Sequence, residues 1–327
     1  MSDPAAQLAP SSLPSTMKAI RLHGRGAAGI RYEDAPLPKL LTGDALVRVY
    51  TAAITPTELE WDETYQNADG SSRLPSVPGH EISGVVAAVA PDVTDVRAGD
   101  EVYALSDFPR DGGAAEFVAV PAANLAPKPQ TIDHVHAAAI TLSGLTAWQA
   151  FFTQANLQAG QKVLVHGAAG GVGVFAVQLA RWRGARVTAT ARAKDAEFLR
   201  ELGAERVIDY TSERFYEIVS EQDIVLDTIG GETQERSWKV LRPGGAMINL
   251  RGPLAEEKVE EYGVRGIFFI VTPSRADLRE MARLVDRGEL RSIVSQVLPL
   301  AEAKRAFEPL PPDHGPGKIV LRVREEN

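Results

Sequence analysis

KVLVHGAAGGVGVFAVQLA, residues 162–180, decides the fold. A β-branched run ends at His166, a glycine-rich turn follows, and apolar residues at helical spacing then begin. Strand, tight turn and helix in this order bring backbone N–H groups and a helix N-terminus against a pyrophosphate. Written as a fingerprint it is Ala168-x-Gly170-x-x-Gly173, with alanine at the first position and an additional Gly171. Ala168, Ala169, Gly170, Gly171, Val172 and Gly173 are therefore the expected phosphate loop. A tight turn without a ligand is the alternative, and only the surrounding pattern separates the two.

That pattern continues on the C-terminal side. ARVTATA, ERVIDY, DIVLDTIG and GGAMINL read as further strands, KDAEFLRELG and ETQERSWKVL as helices between them, and GIFFIV (266–271) as a sixth strand. Strands alternating with helices of this length predict a doubly wound parallel sheet. The carboxyl edge of such a sheet carries the ligand, which points to Thr228, Asn249, Leu250 and Arg251. At the end of the second strand an acid would bind a ribose 2′-hydroxyl, but the residues there are Thr190, Ala191, Arg192 and Lys194. Two cations and a hydroxyl, with Tyr210 as a second wall, suit a 2′-phosphate and predict NADPH. A solvated helix entrance is the other reading of Arg192 and Lys194.

On the N-terminal side the texture is β-rich. KAIRL, ALVRVYTAAI, SGVVAAVA, DEVYAL and AEFVAV are short alternating or β-branched runs between Gly, Pro and Asp. After GIFFIV comes a helix (SRADLREMARLVDRG), a strand (SIVSQVLPL), a short helix (AEAKRAF) and a last strand (GKIVLRV). The predicted organisation is a disordered leader over 1–16, a discontinuous β-rich domain over 17–140 and 272–327, and a dinucleotide domain over 141–271.

Composition narrows the partners. With 44% hydrophobic and 24% charged residues and a net charge of −8, the 327-residue chain is an ordinary globular protein without a basic footprint for nucleic acid or anionic membrane. No apolar run reaches membrane-spanning length. The chain has no cysteine, which excludes disulfides and thiolate metal sites and fits a reducing, cytoplasmic location.

VLVHGAAGGVGVFAVQLAR, LGAERVIDY, DIVLDTIGG, LRPGGAMINL and GKIVLRV, together with GHE at 79–81, resemble the medium-chain dehydrogenase/reductase superfamily in its zinc-free quinone oxidoreductase branch, from about Met17 to Val323. The resemblance implies a GroES-like catalytic domain beside a Rossmann domain, and reduction of a quinone or α,β-unsaturated carbonyl by NADPH. Zinc relatives hold their metal with a cysteine, the histidine of Gly-His-Glu and a second cysteine. Here Thr55 stands in the first position, and the second falls at Leu142 or Ser143. His80 with Glu81 does not make the three-ligand set of a catalytic zinc, so a metal-free site is expected.

The same resemblance places the remaining candidates. Thr57 stands at a proton-relay hydroxyl, or else is a turn hydroxyl after Pro56. Thr55 lines the pocket, Glu58 makes a structural ion pair, and Trp61 and Tyr65 supply aromatic walls, with Tyr65 as the polarising hydroxyl or a surface aromatic. His80 is a core histidine or a proton donor. Thr146 holds the carboxamide or ribose of the nicotinamide end. Lys318 closes over the cofactor or is a plain strand lysine. GIFFIV pairs across a two-fold axis in a homodimer, or is buried under the tail helix. Alternatives to the reductase are an alcohol/ketone dehydrogenase or biosynthetic tailoring reductase, and a non-catalytic NADPH-binding structural or sensor protein.

Overall fold

The computed structural model describes residues 13–309, 311 and 314–326. Two compact units emerge: of the described residues, one holds those up to 142, 272–287 and those from 294 onward, and the other holds 143–271 and 288–293.

The second unit carries a six-stranded parallel sheet. Its order is Arg206–Asp209, Arg186–Ala191, Lys162–Val165, Gln222–Asp227, Leu241–Asn249 and Arg265–Ile267. The chain therefore starts in the middle, winds outward to one edge, then returns to build the other half. This reversal creates the crevice at the carboxyl ends of Lys162–Val165 and Gln222–Asp227 that the doubly wound topology uses for ligands. The β-branched run at 163–165 has both faces covered and is fully buried, as a central parallel strand requires.

The sixth strand is only Arg265–Ile267; Phe268 and Ile270 lie beyond it and are 39% and 64% exposed. This corrects the reading of 266–271 as one strand: the apolar run leaves the ladder after Ile267. The segment 288–293 packs with this unit because Gln178 acts as a surrogate peptide. Its side-chain amide donates to Arg291 O (3.0 Å) and accepts from Arg291 N–H (2.8 Å).

The first unit is β-rich. Thr16–Leu22 and Ile30–Pro36 form an antiparallel pair. A seven-stranded sheet runs Val294–Pro299, Lys318–Arg322, Asp44–Ile54, Glu81–Val89, Glu101–Leu105 and Ala126–Pro127, with Phe117–Pro121 also pairing to Asp44–Ile54. Residues 1–12 of the expected leader lie outside the described residues. Residues 13–16 belong to the folded unit, a correction: Leu13 packs on the core, Ser15 O accepts from Leu37 N–H (3.2 Å), and Thr16 opens the first strand. Along the chain, between the two units' sheets, come the helices His134–Ala138 and Thr141–Trp148, the second continuing into a π-helical turn at Gln149–Gln154.

One consequence of the register decides the chemistry of this unit. Ile319 pairs with Ile54, and Ala53 pairs with Glu81. Three neighbouring strands thus bring the start of 318–322, the residue after 44–54 and the start of 81–89 to one sheet end.

Candidate active site

The expected phosphate loop is built around close backbone approaches. Gly167 has φ +67°, and a Cβ there would sit 2.3 Å from Thr228 Oγ1. A Cβ on Gly173 would sit 2.3 Å from Gly167 O and 2.6 Å from Ala168 Cα. Only glycine allows the turn at the first position and the helix–turn contact at the second. Ala168 is fully buried and donates its N–H to Thr190 O (3.1 Å), so the first fingerprint position tolerates a methyl. The helix Gly171–Trp182 starts from an exposed Gly170 with no side-chain cap. Its first backbone bond is Val174 N–H to Gly170 O (3.1 Å), which leaves the N–H groups of Gly171, Val172 and Gly173 ahead of the ladder. Bare N–H groups, partly exposed small residues (Ala169 among them) and the helix dipole fit a dinucleotide pyrophosphate.

Around this loop the residues sort into scaffold and surface. His166 is buried, with Nδ1 3.0 Å from Thr190 Oγ1 and Nε2 3.0 Å from Ser237 Oγ; desolvation lowers its pKa to about 3, so the ring is neutral. Thr190 is thereby corrected: its hydroxyl serves His166 inside the sheet and does not face a phosphate. Thr228 donates to His166 O (2.9 Å) and clamps the loop. Asn249 is buried; its amide bonds Gly252 O (2.7 Å) and its carbonyl accepts from Arg251 N–H (3.0 Å), shaping the turn that carries exposed Arg251. Leu250 N–H bonds Asp227 O (3.0 Å). Asp227, which sequence reasoning passed over, is fully buried and accepts from Ile229 and Gly230 N–H, so it too holds this edge of the sheet. Thr146 is buried on its helix.

At the second strand end the structure joins two of the predicted residues. Arg192 Nε donates to Tyr210 Oη (3.0 Å), and Tyr210 is 54% exposed. Lys194 is exposed beside them, while Asp195 takes the N-cap position without a side-chain capping bond. Asp209 ends the third strand, but its carboxylate is committed to Thr211 and Ser212, whose hydrogen bonds lower its pKa. A cationic, tyrosine-backed surface results.

In the first unit Thr55, Glu81 and Lys318 form one network at the sheet end. Lys318 Nζ donates to Glu81 Oε1 (2.6 Å) and to Thr55 Oγ1 (3.0 Å), and Thr55 Oγ1 donates to Glu81 Oε1 (2.9 Å). Glu81 and Lys318 are 1% and 5% exposed, whereas Thr55 is half-buried. Lys318 is thus a buried strand lysine committed to Glu81 and Thr55. Glu58 and His80 lie beside this network. Desolvation, reinforced by Glu81, pushes the Glu58 carboxyl up to about 8, against the Gly79 N–H bond (2.8 Å) and the charges of Lys318 and Arg73. His80 Nε2 is 3.4 Å from Glu58 Oε1 and Nδ1 is 3.0 Å from Ser106 Oγ; burial lowers its pKa to about 3. Both are neutral at pH 7, which corrects the ion pair expected of Glu58.

Tyr65 is also corrected. It is 2% exposed, donates to Leu59 O (2.8 Å) and accepts from Gly26 N–H (3.1 Å), so it is a core residue with a committed hydroxyl. Trp61 packs edge-on against Phe108. Thr57 is half-buried in the 3-10 turn Pro56–Glu60, and its hydroxyl has no partner among the described residues.

These donors do not suit a zinc ion. Among the described residues no three His, Cys, Asp or Glu side chains converge as a metal site. The position of Thr55 already meets an ammonium, and His80 spends its Nδ1 on Ser106. No helix among the described residues is long and apolar enough to cross a membrane.

The alcohol dehydrogenase GroES-like domain family matches residues 42–130, and the zinc-binding dehydrogenase family matches residues 202–321. The chain is 31% identical over 325 residues to an NADPH-dependent alkenal/one oxidoreductase, chloroplastic, of Arabidopsis thaliana, covering 96% of this chain and 81% of that protein. It is similar to the quinone oxidoreductase structure from Coxiella burnetii, with 30% identity, 94% and 100% coverage and a TM-score of 0.86. An NAD-dependent alcohol dehydrogenase structure is similar at 30% identity, with the same coverage and a TM-score of 0.84.

Proposed function

The chain belongs to the medium-chain dehydrogenase/reductase superfamily, in its zeta-crystallin-like branch, and from that premise we propose that it reduces α,β-unsaturated carbonyls or quinones with NADPH, without zinc. The observation that carries this reading is that one chain holds both a dinucleotide cradle and, in its other unit, a polar cluster whose place for a metal ligand is held by a threonine bonded to an ammonium. Bound NADPH supplies a hydride; with a solvent proton, an enone becomes a saturated carbonyl and a quinone a hydroquinone. An acceptor whose own conjugation spreads the incoming charge suits a site without a Lewis acid.

The protein's part is binding and exclusion. The N–H groups at Gly171–Gly173 hold the pyrophosphate, and Arg192 with Tyr210 meets the 2′-phosphate. Neutral His80 and Glu58 add no charge beside the Lys318–Glu81 pair. We further propose a homodimer joined through the edge beyond Ile267, where Phe268 and Ile270 are exposed, and a cytoplasmic location. Chelator-treated protein should oxidise NADPH in the presence of a 2-alkenal or a 1,4-quinone. Turnover that appears only on adding zinc, or no turnover of either acceptor, overturns the reading.

The cofactor choice has its own test. Arg192→Asp should weaken NADPH binding about tenfold or more, the worth of one charge-assisted contact, and leave NADH binding unchanged. Nicotinamide fluorescence titration reads both. Equal loss for the two cofactors would place Arg192 outside the 2′-phosphate site.

A further inference from the structure

The helix Gly171–Trp182, which opens at the expected phosphate loop, ends about 15 Å further along at a separate cleft. The cleft measures about 390 Å³, a volume typical of small-molecule sites. Its walls all belong to the second unit: the last turns of this helix, the end of the helix Ala196–Glu201, and the segment 288–293. These walls are fixed by specific contacts. The Gln178 amide holds both backbone groups of Arg291. A Cβ on Gly203 would lie 2.5 Å from Arg181 Cγ, so the glycine there seats the Arg181 stem. Trp182 stacks on Trp148, with centroids 6.1 Å apart, and meets Phe152 edge-on, yet it stays 43% exposed. Leu202 adds a buried apolar wall.

The charges at this cleft are unspent. The Arg181 and Arg291 guanidiniums and the Glu201 carboxylate have no hydrogen-bond or ion-pair partner among the described residues, and all three residues are exposed. Glu289, also at the cleft, has a partner of its own. We infer that the cleft binds a small aromatic zwitterion, an amino acid with a ring side chain. Its carboxylate meets the guanidiniums, which suit a carboxylate's two oxygens. Its ammonium meets Glu201 and the negative end of the helix. Its ring lies against Trp182 and Leu202. An aromatic acid alone would leave Glu201 unmatched, and an aromatic amine would leave both arginines so. The site goes beyond the reductase reading and does not depend on it.

Calorimetric titration of the full chain with L-phenylalanine tests the inference. Saturable binding is expected. 3-Phenylpropionate and 2-phenylethylamine, each lacking one charge, should bind about fivefold more weakly, the upper worth of one exposed ion pair. Arg291→Gln should weaken L-phenylalanine and 3-phenylpropionate by a similar factor and leave 2-phenylethylamine unchanged. Glu201→Gln should weaken L-phenylalanine and 2-phenylethylamine and spare 3-phenylpropionate. Trp182→Leu should weaken all three about tenfold, the worth of a good aromatic contact. Circular dichroism matching wild type shows that each variant folds. No saturation by L-phenylalanine at about 10 mM overturns the inference. So do charge variants that leave its affinity untouched or weaken all three probes alike. The reductase reading stands or falls on its own assay.

Discussion

Lys318→Met lowers the stability of the first unit by about 3–5 kcal/mol, the expected cost of removing one partner from a buried ion pair. Glu81 explains the size. It is 1% exposed, Oε1 is held by Lys318 and Thr55, and Oε2 has no partner among the described residues. Without Lys318 the carboxylate keeps one hydroxyl donor in a dry sheet end. Methionine matches the lysine stem and keeps the packing, so the loss isolates the charge. The paired variant Lys318→Met/Glu81→Leu should recover more than half of it, because removing both partners leaves no unsatisfied charge. Urea denaturation of wild type, single and double variants measures the three values. A single variant within about 1 kcal/mol of wild type would mean that water reaches Glu81.

The two units should lose stability on opposite sides of neutral pH. In the second unit His166 is held neutral, with a folded pKa of about 3 against an ordinary value of 6.5. A depressed histidine binds fewer protons folded than unfolded, so its stabilisation is present above pH 6.5. It is lost as pH falls from there toward 3, at up to about 1.4 kcal/mol per pH unit. Asp227, whose carboxyl burial pushes up, offsets the lower part of this limb.

In the first unit His80 behaves in the same way, but Glu58 opposes it. Its carboxyl is raised from 4.5 to about 8, so the folded state holds a proton that the unfolded chain releases. Stability from Glu58 is therefore present at low pH and falls as pH rises from 4.5 to 8. From 4.5 to 6.5 the Glu58 and His80 slopes oppose each other, with His134, which burial lowers in the same direction as His80, adding to the acid side; from 6.5 to 8 only Glu58 remains, costing up to about 2 kcal/mol over that interval. Hydrogen exchange resolved by segment, converted to opening free energies at pH 5, 6.5 and 8, should show the second unit weakening in acid and the first in base. Glu58→Gln should flatten the alkaline limb, and His166→Asn the acid one. A first unit that strengthens from pH 6.5 to 8 would show that Glu58 is ionised.

Local pattern and tertiary register divide the legible from the illegible. The strand–turn–helix geometry at 162–182 was readable because all its requirements are local: a strand end, glycines at 167 and 173 with no room for a Cβ, and a helix without a cap. The approach of Arg192 to Tyr210 was anticipated because each follows the end of one of two successive strands of a parallel sheet. Thr190 failed by direction: alternation along a strand sends its hydroxyl inward to His166, and the sequence around it carries no sign of that partner. Tyr65 failed because a tyrosine between polar residues reads as a surface wall, whereas two distant backbone groups, Gly26 N–H and Leu59 O, take its hydroxyl into the core.

By itself the sequence determined a doubly wound dinucleotide unit, a β-rich partner unit and the lack of a thiolate metal set, since these rest on periodicity, spacing and composition. Only the tertiary structure decided that Thr55, Glu81 and Lys318 meet. They lie 26 and 237 residues apart and converge because Lys318–Arg322 and Glu81–Val89 flank Asp44–Ile54 in one sheet. Strand order is set by the burial of whole faces, which no window of residues encodes. The charge of a buried group is then set by what that order places beside it.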